Sequence, residues 1–251
     1  NEAVKLVEKR KFFQLKGFVN GVLRNIARNK ASISYQDISI KYSMPEWLVQ
    51  YLEASYEKET VEKILASFLE EKPVSIRMKE SLTDEQKAVL LCEMEKEGIE
   101  VKKQEYLPYA YELKKAEGLQ NIEGFLRGDF TVQDISSMLV TECADVKANQ
   151  VVLDLCAAPG GKSMHIAEKL QGTGTVYSFD VSDRKVDYIL ENAKRLGYEN
   201  VVAKVQDATS FIEELVEKGD IVLADVPCSG IGVIGKKCDI KYRINEEEIA
   251  R

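Results

Sequence analysis

Two short segments carry the residues best suited to chemistry. Asp154-Leu155-Cys156-Ala157-Ala158-Pro159-Gly160-Gly161-Lys162 follows the apolar run Val151-Val152-Leu153 and precedes a helical pattern. Its small residues and paired glycines let a backbone approach a ligand closely, and the helix start behind them favours negative charge. Asp225-Val226-Pro227-Cys228-Ser229-Gly230 follows a second apolar run, Ile221-Val222-Leu223-Ala224. Pro227 stiffens that turn and sets a thiol and a carboxylate close together. A thiol and a carboxylate suit nucleophilic addition to a polar ring and retention of that ring. Asp180 and Asp207 follow two further apolar runs, so Asp180, Asp207 and Asp225 stand at three successive strand ends.

The elements that must position these residues are readable from Gln150 onward. Apolar strands at Val151–Leu155, Thr175–Phe179, Val201–Val205 and Ile221–Ala224 alternate with helices over Ser163–Leu170 and Arg184–Leu196, the second capped by Gly197. Near-continuous apolar strands alternating with helices predict βαβ units and a parallel sheet covered on both faces. Ligands of such sheets bind beyond the carboxyl ends of the strands. The Gly-x-Gly-x-x-Gly dinucleotide fingerprint is absent, and Cys156 stands where a phosphate-binding Walker loop needs its first glycine. One small-residue loop plus one strand-end acid for ribose hydroxyls, Asp180, suggests a mononucleoside cofactor without a phosphate requirement. S-adenosylmethionine fits, with Asp207 placed for the adenine.

Upstream, the spacing predicts helices to about Leu69, with Phe12, Phe13, Phe18, Val19, Val22, Leu23 and Ile26 recurring at threes and fours. Ser43 reads as an N-cap before Pro45, with Trp47, Leu48, Tyr51 and Leu52 as the buried stripe. Past Pro73, strands at Val74–Met78, Ile99–Val101 and Ala110–Leu113 with a helix over Asp84–Gly98 suggest a small α+β layer, plausibly ferredoxin-like. The boundaries expected are 1–70, 71–127 and 128–251.

No apolar run reaches the length of a membrane span, no signal peptide is visible, and five scattered cysteines (Cys92, Cys143, Cys156, Cys228, Cys238) argue for a reducing compartment. A cytoplasmic, monomeric protein without a metal is expected. His165, the single histidine, reads as an ordinary helix residue. Net charge is −7, yet Lys5, Lys9, Arg10, Lys11, Lys16, Arg24, Arg28 and Lys30 stand against only Glu2 and Glu8 in the first thirty residues. That asymmetry suggests a basic face for a polyanion, or equally a solvated helix face.

Asp-x-Cys-Ala-Ala-Pro-Gly-Gly-Lys together with Asp-x-Pro-Cys resembles the motifs of RNA 5-methylcytosine methyltransferases. Phe18-Val19-Asn20-Gly21-Val22-Leu23-Arg24 resembles the end of the NusB-like RNA-binding domain of the RsmB (Fmu/Sun) branch. Gly128-Asp129-Phe130-Thr131-Val132-Gln133-Asp134 resembles the segment leading into its catalytic domain. The resemblance implies an α/β, Rossmann-like S-adenosylmethionine-dependent methyltransferase domain with a partial sheet, preceded by a helical NusB-like remnant and the small α+β region. It implies methyl transfer to C5 of a cytosine in small-subunit ribosomal RNA. The backbone of Cys156, Ala157, Ala158, Pro159, Gly160, Gly161 and Lys162 would cradle the methionine part of the cofactor. Asp180 would hold the ribose, Asp207 would lie near the adenine, and Asp225 would line the pocket and meet the cytosine. Arg24 and Arg28, one turn apart, are the candidate phosphate contacts.

In that family Cys228 would match the cysteine of product release, the nucleophile being a later Thr-Cys-Ser cysteine. No Thr-Cys-Ser occurs here, and Cys238 in Lys-Lys-Cys-Asp does not match it. The expectation is a chain cut before its nucleophile, within a helix begun at Glu246–Arg251, and cut at Asn1 as well, hence inactive as it stands. The alternative is a non-catalytic RNA-binding protein with a vestigial cofactor pocket. A methyltransferase using an Asn-Pro-Pro-Tyr-type motif is disfavoured by Pro227-Cys228.

Overall fold

The computed structural model describes residues 2–32 and 34–249, side chains at Ala31 and Glu248 excepted. Asn1, Ala250 and Arg251, on which the expected chain ends fall, lie outside the described residues. The chain forms two compact units, Asn1–Glu70 with Ser229–Arg251, and Glu71–Cys228.

The first unit is helical: α1 (Glu2–Lys9), α2 (Lys16–Asn29), α3 (Ile38–Tyr42), α4 (Glu46–Glu53), α5 (Lys58–Ser67) and, from the later segment, α11 (Glu246–Ile249), elements α6 to α10 belonging to the second unit. Its core gathers Met44, Leu48, Val49, Leu52, Val61 and Leu65 with Ile234. Ser43 is not an N-cap. It closes α3 in the left-handed region (φ 53°), its N–H donating to Ile40, and Pro45 precedes α4 without a capping side chain. The buried stripe of α4 is Leu48, Val49 and Leu52, while Tyr51 is exposed. Phe18, Val19, Val22, Leu23 and Ile26 are helical as spaced, on α2, but Phe12 falls in the break after α1 and Phe13 in a single 3-10 turn, and Phe12, Phe13, Phe18, Val22, Leu23 and Ile26 are all exposed.

The second unit has two sheets. Strands β1 (Val74–Met78), β2 (Glu100–Lys103), β3 (Ala110–Lys114) and β4 (Phe130–Val132) pair antiparallel in the order β2-β3-β1-β4. With α6 (Asp84–Lys96) and the short α7 (Glu123–Arg127) this is the ferredoxin-like βαββαβ order. Phe130–Val132 thus pairs with β1 although it follows the boundary at 127. A capping box fixes the start of α6: Thr83 Oγ1 accepts from Gln86 N, and Gln86 Oε1 accepts from Thr83 N. Ile76, Met78, Leu90, Met94, Leu113 and Phe130 fill the space between sheet and helix. Each such burial stabilises by roughly 1.5–3 kcal/mol.

After α8 (Ile135–Cys143) comes the parallel sheet: β5 (Val151–Asp154), β6 (Thr175–Asp180), β7 (Val201–Val205) and β8 (Ile221–Leu223), in the order β7-β6-β5-β8. The helices are α9 (Gly161–Lys169) and α10 (Asp183–Leu196). The latter buries Val186, Ile189, Ala193 and Leu196 at helical spacing and ends at left-handed Gly197. α9 starts two residues earlier than its apolar pattern, at Gly161, which brings its amino terminus to the loop after β5.

Polar contacts join the two sheets within this unit. Buried Arg77 on β1 pairs with Glu168 near the end of α9, whose other oxygen accepts from Glu80 N at 2.8 Å. Arg195 on α10 donates to the Phe125 and Phe130 carbonyls at 2.9 and 3.2 Å. His165 is fully buried between them, edge-on to Tyr109, and burial pushes its pKa down to about 2.

Gly128 lies against the last residues of α10, with φ +80°. A Cβ there would press into the Arg195 carbonyl oxygen and lie 3.1 Å from Leu196 Cα, whereas Gly197, also left-handed (φ +73°), faces open space. Gly197→Ala is expected to cost about 1 kcal/mol of left-handed strain. Gly128→Ala should cost at least about 2 kcal/mol more from the backbone clash. Comparison of unfolding midpoints checks this, and equal losses would contradict the close approach.

Candidate active site

The turn after β5 is held from both neighbouring strands. Leu155 N donates to Leu223 O of β8 at 2.9 Å, and Ala157 N donates to Phe179 O of β6 at 2.8 Å. Ala158 N donates to Asp180 Oδ2 at 3.1 Å, and Asn192 on α10 reaches the Pro159 carbonyl at 2.9 Å. Gly160 then takes φ +101° as the residue before α9, a conformation open to glycine and strained for other residues. The helix amino terminus therefore opens directly onto the strand ends.

A cavity of about 220 Å³ lies there. Cys156, Ala157, Ala158, Pro159, Gly161 and Lys162 line it from the turn, together with Asp154 and Asp225. Lys162 pairs with Asp225 Oδ2, so the two motifs singled out in the sequence meet through a charge-assisted contact. A larger cavity of about 880 Å³ lies where β6 and β7 begin, away from both motifs.

Environment separates the acids. Asp154 is 1% exposed, and burial pushes its pKa up to about 6 against the help of Ser163 and Lys162. Ser163 Oγ donates to its Oδ2 at 2.6 Å, and Oδ1 is buried without a partner. Burial also acts upward on Asp180, but the Lys185 ammonium at 2.9 Å and the Val181 and Ala158 amides win and hold its pKa below the ordinary value. A carboxylate has about four acceptor positions, so these three bonds leave room for one ribose hydroxyl. Burial, then Asp180, Asp154 and Asp225, push the Cys156 thiol up, which keeps it protonated and a poor nucleophile.

The remaining candidates sit apart from the cavity wall. Asp207, exposed just beyond β7, accepts from Thr209 N and Oγ1 at 2.8 and 2.7 Å, and these bonds lower its pKa. Gly160 is not among the residues lining the cavity, and Cys228, exposed, follows Asp225 on the same loop. Arg24 and Arg28 belong to the helical unit, where both are exposed on α2. Sequence reasoning missed four lining residues, Val132, Gln133, Asp134 and Ser137, and gave Asp154 no role. Gln133-Asp134 stood in a segment already singled out, but no spacing rule joins it to a turn more than twenty residues later.

The orphaned Asp154 oxygen, the open helix terminus and the small residues of the turn fit a ligand with an ammonium and a carboxylate at one end. Residues 142–251 match the family model for 16S rRNA methyltransferase RsmB/F, and residues 44–120 match that for the RsmF/B-like ferredoxin-like domain. A probable ribosomal RNA small subunit methyltransferase B from Bacillus subtilis is 38% identical over 100% of this chain and 57% of its own length. The ribosomal RNA small subunit methyltransferase B of Proteus mirabilis is 32% identical over 95% of this chain and 56% of its own. The chain thus spans little more than half the length of these relatives. Among solved structures, PH0851 superposes with a TM-score of 0.78 at 27% identity, covering 99% of this chain and 56% of that one. NSun6 from Pyrococcus horikoshii, solved with SFG, shares the fold with a TM-score of 0.69 at 22% identity, covering 82% and 76%. With its motifs gathered at one strand-end cavity and both of its matched segments drawn from the same enzymes, the chain belongs to the RsmB/F family of 16S rRNA methyltransferases.

Proposed function

We propose that the protein serves to transfer a methyl group from S-adenosylmethionine, the cofactor of this family, to C5 of a cytosine in small-subunit ribosomal RNA. The observation that carries this reading is the cavity in which the Cys156–Lys162 turn meets Asp225 of the Asp-Val-Pro-Cys loop. When bound, the cofactor supplies an electrophilic methyl group. The turn and the α9 amino terminus would hold its methionine end, with Asp154 Oδ1 accepting from the ammonium. Asp180 would take a ribose hydroxyl, and Asp207 the adenine side.

Cytosine C5 is a poor nucleophile until a thiolate adds to C6, after which C5 gains enamine character and a base must later remove its proton. Asp225, oriented by Lys162, would accept from the cytosine amino group and hold the ring against the cavity. Cys228, on the same loop, would serve product release. Arg24 and Arg28 would meet RNA phosphates, positioning the strand without reading it.

Cells lacking the gene should show one otherwise protected cytosine of 16S ribosomal RNA becoming convertible by bisulfite. The intact gene should restore protection and an Asp225→Asn allele should not. An unchanged conversion pattern would contradict the reading. Separately, replacing Arg24 and Arg28 by Glu should weaken RNA binding and flatten its dependence on salt. Binding that stays the same across a salt titration would remove both residues from the interface.

A further inference from the structure

Gln133 follows β4 and lines the same cavity as the Cys156–Lys162 turn. Its backbone N–H donates to Ser75 O of β1 at 3.1 Å, and the side chain is 6% exposed. Arg77, 2% exposed, donates Nε–H to Gln133 Oε1 at 3.0 Å while its Nη1 pairs with Glu168. A guanidinium can only donate, so it takes the amide oxygen and fixes which way the amide faces. The amide nitrogen is left buried without a partner. A Cβ on Gly161 would be 3.9 Å from Gln133 Cγ, which places this side chain against the first residue of α9. Asp154 lines the same cavity, and Asp154 Oδ1 and Gln133 Nε2 are both buried without a partner.

We propose that Gln133 is a cofactor-binding residue whose Nε2 donates to the carboxylate at the methionine end of the cofactor, and that Arg77 is the positioning residue that turns the amide for it. This rests on the cofactor reading above. It gives the antiparallel sheet a task in the site. Arg77 stands on a central strand of that sheet, and through Gln133 and Glu168 it governs both the wall beside the α9 amino terminus and the far end of the same helix. A buried donor left unmatched is costly, and a carboxylate at that position would remove the cost.

The test compares two probes by calorimetry on the whole chain: S-adenosylhomocysteine, which has the amino-acid end, and 5′-methylthioadenosine, which lacks it. Gln133→Glu keeps an acceptor for Arg77 and replaces the donor by a second acceptor. It should weaken S-adenosylhomocysteine about tenfold or more and leave 5′-methylthioadenosine within about twofold. Arg77→Met should show the same selective loss through a freed amide. Equal weakening of both probes, or of neither, overturns the proposal. An Arg77→Met protein that fails to fold leaves Gln133→Glu as the deciding variant. A wild-type chain that binds neither probe would refute the cofactor reading itself, and this proposal with it.

Discussion

Helix α9 is fixed at both ends, and the site depends on that. Its amino end emerges from a turn bonded to β6 and β8, while its carboxyl end is held by buried Arg77 and by Glu80 N through Glu168. Burying an ion pair is a poor source of net stability, because desolvation offsets most of the attraction. Leaving one partner alone is far worse, costing about 3–5 kcal/mol. The pair therefore acts mainly as a constraint: it allows one placement of the helix against the antiparallel sheet. Lys169, Glu142 and Tyr109 extend the polar seam, and neutral, buried His165 adds packing to it without charge.

With the helix fixed, four acids near the strand ends take different characters from their surroundings. Burial raises the pKa of Asp154 to about 6 against the Ser163 hydroxyl and the Cys156 amide, whereas Asp180 is kept ionised by an ammonium and two amides. Asp207 is ionised by its own turn, and Asp225 by its partner Lys162 has a defined orientation. Asp154 and Asp225 line the cavity, while Asp180 and Asp207 stand outside its lining at the ends of β6 and β7. Asp154 carries a stability consequence as well. Its folded pKa lies above the unfolded value, so its contribution is complete below pH 3.8 and is lost as pH rises through about 6.

The parallel sheet was legible because each strand is an apolar run and each helix keeps its 3.6-residue period. The cofactor turn was legible because glycines and a proline in that order permit few backbones. The helix start at Gly161 was missed by two residues, since glycine lowers helix propensity there while the turn geometry imposes it. Ser43 misled because its preference for caps does not say which end of a helix it closes. Gln133, Arg77 and Glu168 were invisible as a group: they lie on β1, after β4 and on α9, and only the packing of two sheets joins them. The apolar face of α1–α2 has the spacing of a core, and spacing alone does not tell a covered face from an exposed one.

The claim on which everything else rests is that the cavity beside β5 holds the amino-acid end of an adenosyl cofactor through Asp154. Calorimetric titration of the chain with S-adenosylhomocysteine across pH measures it directly. Because burial raises the Asp154 pKa to about 6, affinity should rise with pH to about that value and then level. Asp154→Asn should weaken binding and flatten the rise. Absence of binding at every pH, or an affinity indifferent both to pH and to this substitution, would contradict it.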